Sequence, residues 1–309
     1  MINFYKTVDS SVTEIEEYES GCWVNIVAPD EDELDYAACI TGADIDLLRA
    51  PLDAEESSRA EIEEDSQTSL IVDIPLAEKD GENIIYTTIP LGFVIMPECI
   101  ITVCLKENTI LKSFSTGMVK GANTRMKTRF VLQVFYRIAS RYLQYLKQIN
   151  RLSSDIEIRS HRSMKNSELI QLLDLEKSLV YFGTSLRGNE LVMRKIARGK
   201  IIPLYEDDED LLDDVLVEIQ QAVEMSNIYS NILSGTMDAF ASIISNNLNI
   251  VMKFLSSITI LMAVPQIISG IYGMNVAGLP LAQFWWFPVG ISALACIIVA
   301  IIMNRKNMF

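Results

Sequence analysis

A Gly-Met-Asn tripeptide and a pair of neighbouring aspartates are the two stretches of this sequence whose residue types could bind a cation. The tripeptide, Gly273 to Asn275, interrupts a run without any charged residue from Phe254 to Asn304. The aspartates, Asp213 and Asp214, lie in the acidic stretch DDEDLLDDV. Carboxylates bind hard divalent cations, and a neutral amide oxygen accepts hydrogen bonds from the water shell of an ion. Whether these residues can act together depends on the helices and the turn in which they lie.

The uncharged run is long enough for two membrane-spanning helices joined by a short turn. A helix needs about 20 residues to cross the hydrocarbon core of a bilayer. We therefore predict one span over about 254–272 and a second over about 285–303. Glycines and a proline break the pattern between them, and two tryptophans begin the second span as an interfacial aromatic belt. A buried hairpin of a soluble protein is the alternative, but such hairpins rarely lack every charge over this length.

The flanking charges predict the orientation of the spans. Lys253 precedes the first span, Arg305 and Lys306 follow the second, and the turn between them contains no Lys or Arg. The positive-inside rule therefore places both termini in the cytoplasm and the tripeptide outside. We predict a multi-pass protein of the cell membrane, plasma or inner.

Net charge and the metal-ligating residue types narrow the choice of partners. The first 253 residues carry 24 Lys and Arg against 41 Asp and Glu, a formal charge of −17. Such a surface excludes nucleic acid as a natural partner and suits divalent cations. His161 is the sole histidine and the five cysteines form no CxxC pair, so a histidine or thiolate metal site is not expected.

The pattern along the chain predicts an α+β fold class with three regions. Residues 1–125 contain short β-branched runs and two helical stretches, which we assign to a cytoplasmic α/β domain. Residues 126–253 are helical almost throughout and include a stalk helix from about residue 204. Residues 254–309 form the two transmembrane helices and their external turn. The strand-like runs are INFYKTV, CWVNIVAP, SLIVDIPL, NIIYTTIPLGFVIM and CIITVCL.

The stalk helix passes into the first span without an interrupting proline before Pro265. Some 64 residues at about 1.5 Å each would extend roughly 95 Å. A helix of that length needs lateral partners, which indicates a bundle of subunits.

One face of the first span combines small, polar and flexible apolar side chains at spacings of three or four residues. Two spans cannot enclose an aqueous path, whereas several copies around an axis can. This face therefore suggests a pore lining, and ordinary helix packing, which also favours small and hydroxyl residues, is the alternative. An amide at the depth of Gln266 needs polar partners or water. The face consists of Asn249, Met252, Leu255, Thr259, Ala263, Gln266 and Gly270.

The sequence YGMN, placed after a first C-terminal span and before a second, resembles the CorA family of divalent-cation transporters. The acidic-headed stalk, the preceding α/β region and the short basic tail match the family's layout. The resemblance implies a homopentamer with a funnel-shaped cytoplasmic domain and Mg2+ influx, with some passage of Co2+ and Ni2+. It also implies that Gly273, Met274 and Asn275 form the ion-selectivity filter, where Asn275 accepts hydrogen bonds from hydrated Mg2+.

The sequence departs from the family pattern at two points. Many members carry an acidic residue in the external turn, but VAGLPLAQ has none, so ion capture cannot depend on a carboxylate there. Pro265 also lies one residue closer to the tripeptide than in the best-known members. A displaced kink would rotate the lower part of the pore face.

Two further roles concern gating. Met252 and Leu255, near the cytoplasmic end, are candidates for an apolar constriction that closes by dewetting, and helix packing is the alternative. Asp214, counted back from the tripeptide, falls where family members carry an intersubunit Mg2+-binding aspartate. Asp213 and Asp214 are therefore predicted to bind regulatory Mg2+, with Asp210 as another candidate and simple helix capping as the alternative.

Three other functions compete with Mg2+ transport. A zinc exporter of the same superfamily would share the tripeptide. A membrane-anchored sensor or scaffold would need two spans but no polar pore face. An enzyme is not expected, since the sequence lacks P-loop, GxGxxG, HExxH and GxSxG motifs.

Overall fold

The computed structural model divides the chain into two compact units, Met1–Gly235 and Thr236–Phe309. The first contains a seven-stranded sheet with helices on both faces, and the second contains the C-terminal part of a long helix and a shorter helix. The residues described are 1–9, 11–62, 67–81, 83–160, 166–274, 279–281 and 284–306.

The strands are β1 (Ile2–Val8), β2 (Ser11–Ile15), β3 (Cys22–Val27), β4 (Arg59–Ile62), β5 (Thr68–Asp80), β6 (Asn83–Ile95) and β7 (Cys99–Cys104). The helices are α1 (Glu31–Thr41), α2 (Ile45–Arg49), α3 (Thr109–Ser115), α4 (Lys127–Ser160), α5 (Asn166–Ala197), α6 (Glu209–Tyr272) and α7 (Trp286–Arg305).

The sheet has the strand order β2-β1-β3-β7-β6-β5-β4, and its neighbours are antiparallel except for the parallel pair β3 and β7. Strands β3 and β7 lie at its centre and are covered on both faces. This explains why they read as nearly continuous hydrophobic runs rather than as alternating ones. Alternate residues of β3 serve the two faces, so that Val24 and Trp23 point into different layers of the core.

Helices α1 and α2 cover one face of the sheet. Leu34 and Leu48 from these helices join a buried cluster with Val24 and Ile101. Aromatic residues form the other core layer, where the ring of Phe130 on α4 lies 5.2 Å from that of Trp23. Gly92 on β6 is required for the first layer, because a Cβ at this position would lie only 2.0 Å from Cγ of Pro51.

The sequence pattern predicted the five inner strands of the sheet but missed β2 and β4. Both missed strands are edge strands, with the sequences SVTEI and RAEI and mostly exposed or half-buried side chains. Short, charged edge strands protect a sheet against edge-to-edge association, and the same composition hides their β-pattern. The turn predicted in KDGEN does join a hairpin, in which β5 and β6 pair up to Asp80 and Asn83.

The α+β fold class predicted from the sequence is confirmed, with a mixed sheet domain, a long helix and a C-terminal apolar helix. Helix α6 runs for 64 residues and contains Pro265 without ending there. It begins at Glu209 rather than near residue 204, because a 3-10 turn over Glu206–Asp208 comes first. The N-terminal part of α6 packs on α5, where the Ser226 hydroxyl donates to the carbonyl oxygen of Leu179 at 3.3 Å.

Candidate functional site

The start of α6 is fixed to the first turn of α4. Asp208 is buried, and its carboxylate pairs with the Arg129 guanidinium at 3.1 Å. The Thr128 hydroxyl donates to the carbonyl oxygen of Pro203 at 2.8 Å. Beside it, the Lys127 ammonium donates to the carbonyl oxygens of Met96 and Pro97, and burial lowers the pKa of Lys127. The acidic stretch therefore does more than complement the helix dipole, because Asp208 anchors the stalk.

Asp213 and Asp214 lie on the next turn of α6 and are exposed. Across the residues that the structure describes, no group of three or more His, Cys, Asp or Glu side chains could hold a metal ion. Asp213 and Asp214 are neighbours in the chain, and the described residues add no third side chain of these types that would form such a group with them.

Two helices, α6 and α7, are long and apolar enough to cross a membrane. In α6 this applies to the C-terminal part, and α7 qualifies over Trp286–Arg305. Helix α6 ends at Tyr272, and α7 begins one residue after the predicted start of the second span and ends two residues after its predicted end. No helix end marks the predicted start of the first span near 254, because α6 begins at Glu209. Trp285, just before α7, is 82% exposed. Such a side chain is available to lie at a membrane–water interface, where tryptophan is enriched.

Contacts between α6 and α7 define which side of α6 faces its neighbour. Ser257 on α6 and Met303 on α7 are buried. The rings of Tyr272 and Phe287 meet edge to face at 6.2 Å. Toward the middle of the two helices, the Cys296 thiol donates to the carbonyl oxygen of Leu261 at 3.7 Å.

The predicted pore face lies on the opposite side of α6. Successive residues turn by about 100°, so Ser257, Leu261 and Ile268 share the side that faces α7. By the same geometry, six of the seven predicted residues share the other side, and Asn249 lies near its edge. All seven are exposed in the single chain except Ala263, which is half-buried: Asn249, Met252, Leu255, Thr259, Ala263, Gln266 and Gly270.

The hydroxyl of Thr259 is already satisfied within its own helix. It donates to the carbonyl oxygen of Leu255 at 2.8 Å. The hydroxyl oxygen still has lone pairs free to accept a hydrogen bond from water. Thr259 can therefore present an acceptor on this face without an unpaired donor.

The tripeptide begins where α6 ends. The amide of Gly273 donates to the carbonyl oxygen of Ser269 at 2.9 Å, the last bond of helical spacing before the turn. A Cβ at Gly273 would lie 3.1 Å from that same oxygen, so glycine suits the tight exit from the helix. Met274 is 60% exposed rather than packed against the chain. Asn275 lies outside the described residues.

The bond between Cys296 and Leu261 was not predicted from the sequence. Its signal was present, because Pro265 has no N–H for the carbonyl oxygen four residues earlier, which is that of Leu261. The position of the donor could not be predicted, because it comes from α7.

The profile of the CorA-like Mg2+ transporter protein family matches residues 18–305 of the chain. The chain belongs to the CorA family. The match includes the α/β unit from β3 onward, the stalk, the tripeptide and both apolar helices.

Two matches from Methanocaldococcus jannaschii cover nearly the whole length of this chain. The cobalt/magnesium transport protein CorA of Methanocaldococcus jannaschii is 28% identical over 292 residues, which are 92% of this chain and 90% of that protein. The complete structure of the CorA magnesium transporter from the same organism superposes with a TM-score of 0.85 at 25% identity. That superposition covers 100% of this chain and 99% of the other.

The fold of most of this chain also occurs in a differently named protein. The ZntB cytoplasmic domain from Vibrio parahaemolyticus matches 80% of this chain and 97% of its own, with a TM-score of 0.60 and 11% identity. At that identity the likeness shows the fold alone.

Proposed function

We propose that this protein is a homopentameric channel of the cell membrane that conducts Mg2+ into the cytoplasm, with Co2+ and Ni2+ as further permeant cations. The observation that carries the proposal is the side of α6 on which the predicted pore residues lie. Because α7 covers the other side, a ring of five copies can turn the face of Met252, Thr259 and Gln266 toward a common axis.

The mouth of this pore selects a hydrated ion. Mg2+ loses its water reluctantly and demands near-octahedral coordination, so a filter that stripped the ion would be slow. A ring of Asn275 side chains supplies neutral oxygens that accept hydrogen bonds from the waters of the ion. Gly273 ends the helix within a tight space, and the exposed Met274 packs only once neighbouring subunits surround it.

The gate lies toward the cytoplasmic end of the span. Met252 and Leu255 are 52% and 56% exposed in the single chain. Their symmetric copies form an apolar ring in the pentamer, and a narrow apolar ring excludes water and ions. Opening requires the α6 helices to move apart at this level.

Cytosolic Mg2+ controls the gate through the head of the stalk. Asp213 and Asp214 are exposed at the N-terminal end of α6, where carboxylates of a neighbouring subunit complete the proposed site. Bound Mg2+ bridges subunits and holds the pore shut when the cell is replete. Loss of Mg2+ leaves like charges facing each other, and their repulsion loosens the stalks.

Ion uptake by cells that lack other Mg2+ uptake systems tests the proposal. Expression of the chain should restore growth at low Mg2+ and produce Mg2+ influx that Asn275→Ala nearly abolishes. The matched control is Asn247→Ala, which removes an amide from another side of α6 and should leave influx near wild type. Both variants must assemble to the same oligomer.

The same cells distinguish the competing functions. A zinc exporter would move Zn2+ outward and leave Mg2+ influx at background. A membrane-anchored sensor or scaffold would move neither ion. Wild-type influx in a well-assembled Asn275→Ala variant would contradict the assignment of the filter.

A further inference from the structure

Pro265 leaves a backbone acceptor without its helical donor in the middle of the pore helix. In an α-helix the amide of each residue donates to the carbonyl four residues earlier, and proline has no amide hydrogen. The carbonyl oxygen of Leu261 therefore loses this partner, although α6 continues to Tyr272. In hydrocarbon no bulk water can replace the lost bond, so an unpaired backbone group there is unfavourable.

The second helix supplies the missing donor. The thiol of Cys296 on α7 donates to the carbonyl oxygen of Leu261 at 3.7 Å, within the range of hydrogen bonds that involve sulfur. A side chain in a helix often bonds to its own backbone, as the Ser292 hydroxyl on α7 does to Pro288 at 2.7 Å. The Cys296 thiol instead reaches the one carbonyl on α6 that proline deprives of an amide.

We propose that Cys296 is a positioning residue for ion conduction, which holds the backbone of α6 in place at Pro265 through its bond to Leu261. This inference depends on the proposed channel function. Pro265 separates Met252, Leu255 and Thr259 from Gln266 and Gly270 along α6. A fixed backbone at Pro265 therefore sets how the gate end of the pore face is turned relative to the mouth.

The hydrogen bond from Cys296 to Leu261 predicts a different result for each substitution of Cys296. Cys296→Ala removes the thiol donor from the Leu261 carbonyl, so the backbone at Pro265 is no longer held and the two parts of the pore face lose their alignment. Cys296→Ser keeps a donor at nearly the same place. Neither variant touches the mouth, so Cys296→Ala should lower the maximal influx rate while the Mg2+ concentration for half-maximal influx stays constant.

A double-mutant cycle with Pro265→Ala tests the proposal. Alanine at 265 restores the amide that bonds to Leu261, so Cys296 becomes dispensable. We expect Cys296→Ala to lower maximal Mg2+ influx about threefold in the native background, because the free energy of an interhelical hydrogen bond in a membrane corresponds to about this factor. In the Pro265→Ala background, Cys296→Ala should have almost no effect. Cys296→Ser should restore the rate. Ser292→Ala, which removes a bond within α7, should act equally in both backgrounds.

Infrared spectroscopy of the full-length oligomer tests the bond without transport. The S–H stretching band of Cys296, identified by its loss in Cys296→Ser, should move to higher frequency in Pro265→Ala because the thiol loses its acceptor. Equal effects of Cys296→Ala in both backgrounds, or an unmoved band, would overturn the inference. If the band moves but the wild-type protein produces no Mg2+ influx, the result would contradict only the proposed channel function.

Discussion

The side-chain amide of Asn189 on α5 bonds both backbone groups of Asp73 on β5. Its nitrogen donates to the carbonyl oxygen of Asp73 at 2.7 Å, and its oxygen accepts from the amide of Asp73 at 2.9 Å. Strand β4 pairs with β5 only up to Ile71, so the outer edge of β5 has no neighbouring strand at Asp73. Asn189 thus continues the hydrogen bonding of the sheet and ties α5 to it.

We expect Asn189→Ala to lower the free energy of unfolding of the α/β unit by about 1–3 kcal/mol, because the part-buried amide of Asp73 loses its acceptor. The carbonyl oxygen of Asp73 keeps a second donor, the Tyr142 hydroxyl at 3.1 Å. Urea unfolding followed by fluorescence of the buried Trp23 measures this, in a background where Trp285 and Trp286 are phenylalanine. The control Asn227→Ala removes an exposed bond to Arg187 and should cost much less. Equal losses in the two variants would show that the Asn189 contact is dispensable.

The carboxyl group of Asp73 should make stability depend on pH. Burial raises the pKa of Asp73 above its ordinary value, although hydrogen bonds from Ser185 and Ser58 oppose the shift. A raised pKa means that the folded state holds the proton more tightly than the unfolded state. This contribution to stability is fully present below the ordinary carboxyl pKa of about 4 and is lost as the pH rises through the folded pKa.

The same unfolding assay, repeated from pH 7 down to pH 4, should therefore show the wild type gaining stability relative to Asp73→Asn. The asparagine variant cannot titrate at this position, so the difference between the two proteins isolates Asp73. A difference that stays constant with pH, or that changes in favour of the variant as the pH falls, would contradict the shifted pKa.

The predicted topology can be tested with a thiol reagent that does not cross membranes. A cysteine introduced at Ala277, between the two predicted spans, should react in intact cells because the predicted topology places this turn outside. The native Cys39 provides an internal control: its side chain is exposed on α1, and it should react only after permeabilisation. The reverse pattern would place the termini outside and remove the basis for the filter.

Replacing Asp213 and Asp214 by alanine should abolish the effect of Mg2+ on the protease resistance of the predicted cytoplasmic region. We expect protease resistance of the wild type to rise with Mg2+ concentration, and resistance of the double variant to remain at the level of the Mg2+-free protein. The control Asp32→Ala with Asp35→Ala removes the same number of exposed carboxylates from α1. If the Asp213/Asp214 variant retains the wild-type Mg2+ dependence, the sensor lies elsewhere in the chain.

The sequence by itself determined those features that follow from composition and local period. The absence of charge from Phe254 to Asn304 requires an apolar environment over two helical lengths, whatever the rest of the chain does. Spacing of three and four residues predicted the face from Met252 to Gly270, since helical geometry alone decides which side chains share a side. The continuous α6 and the five inner strands follow from the same periodic patterns.

Only the tertiary structure decided which distant groups meet. In the sequence, Asp208 is one of several acidic residues at the start of a helix. In the fold it is buried against Arg129, because α4 begins beside it. The partners of Asp73 and of Leu261 come from positions 189 and 296, far away in the chain. A local pattern shows that a backbone group lacks a partner, but the donor is set by how the elements pack, and this depends on the whole fold.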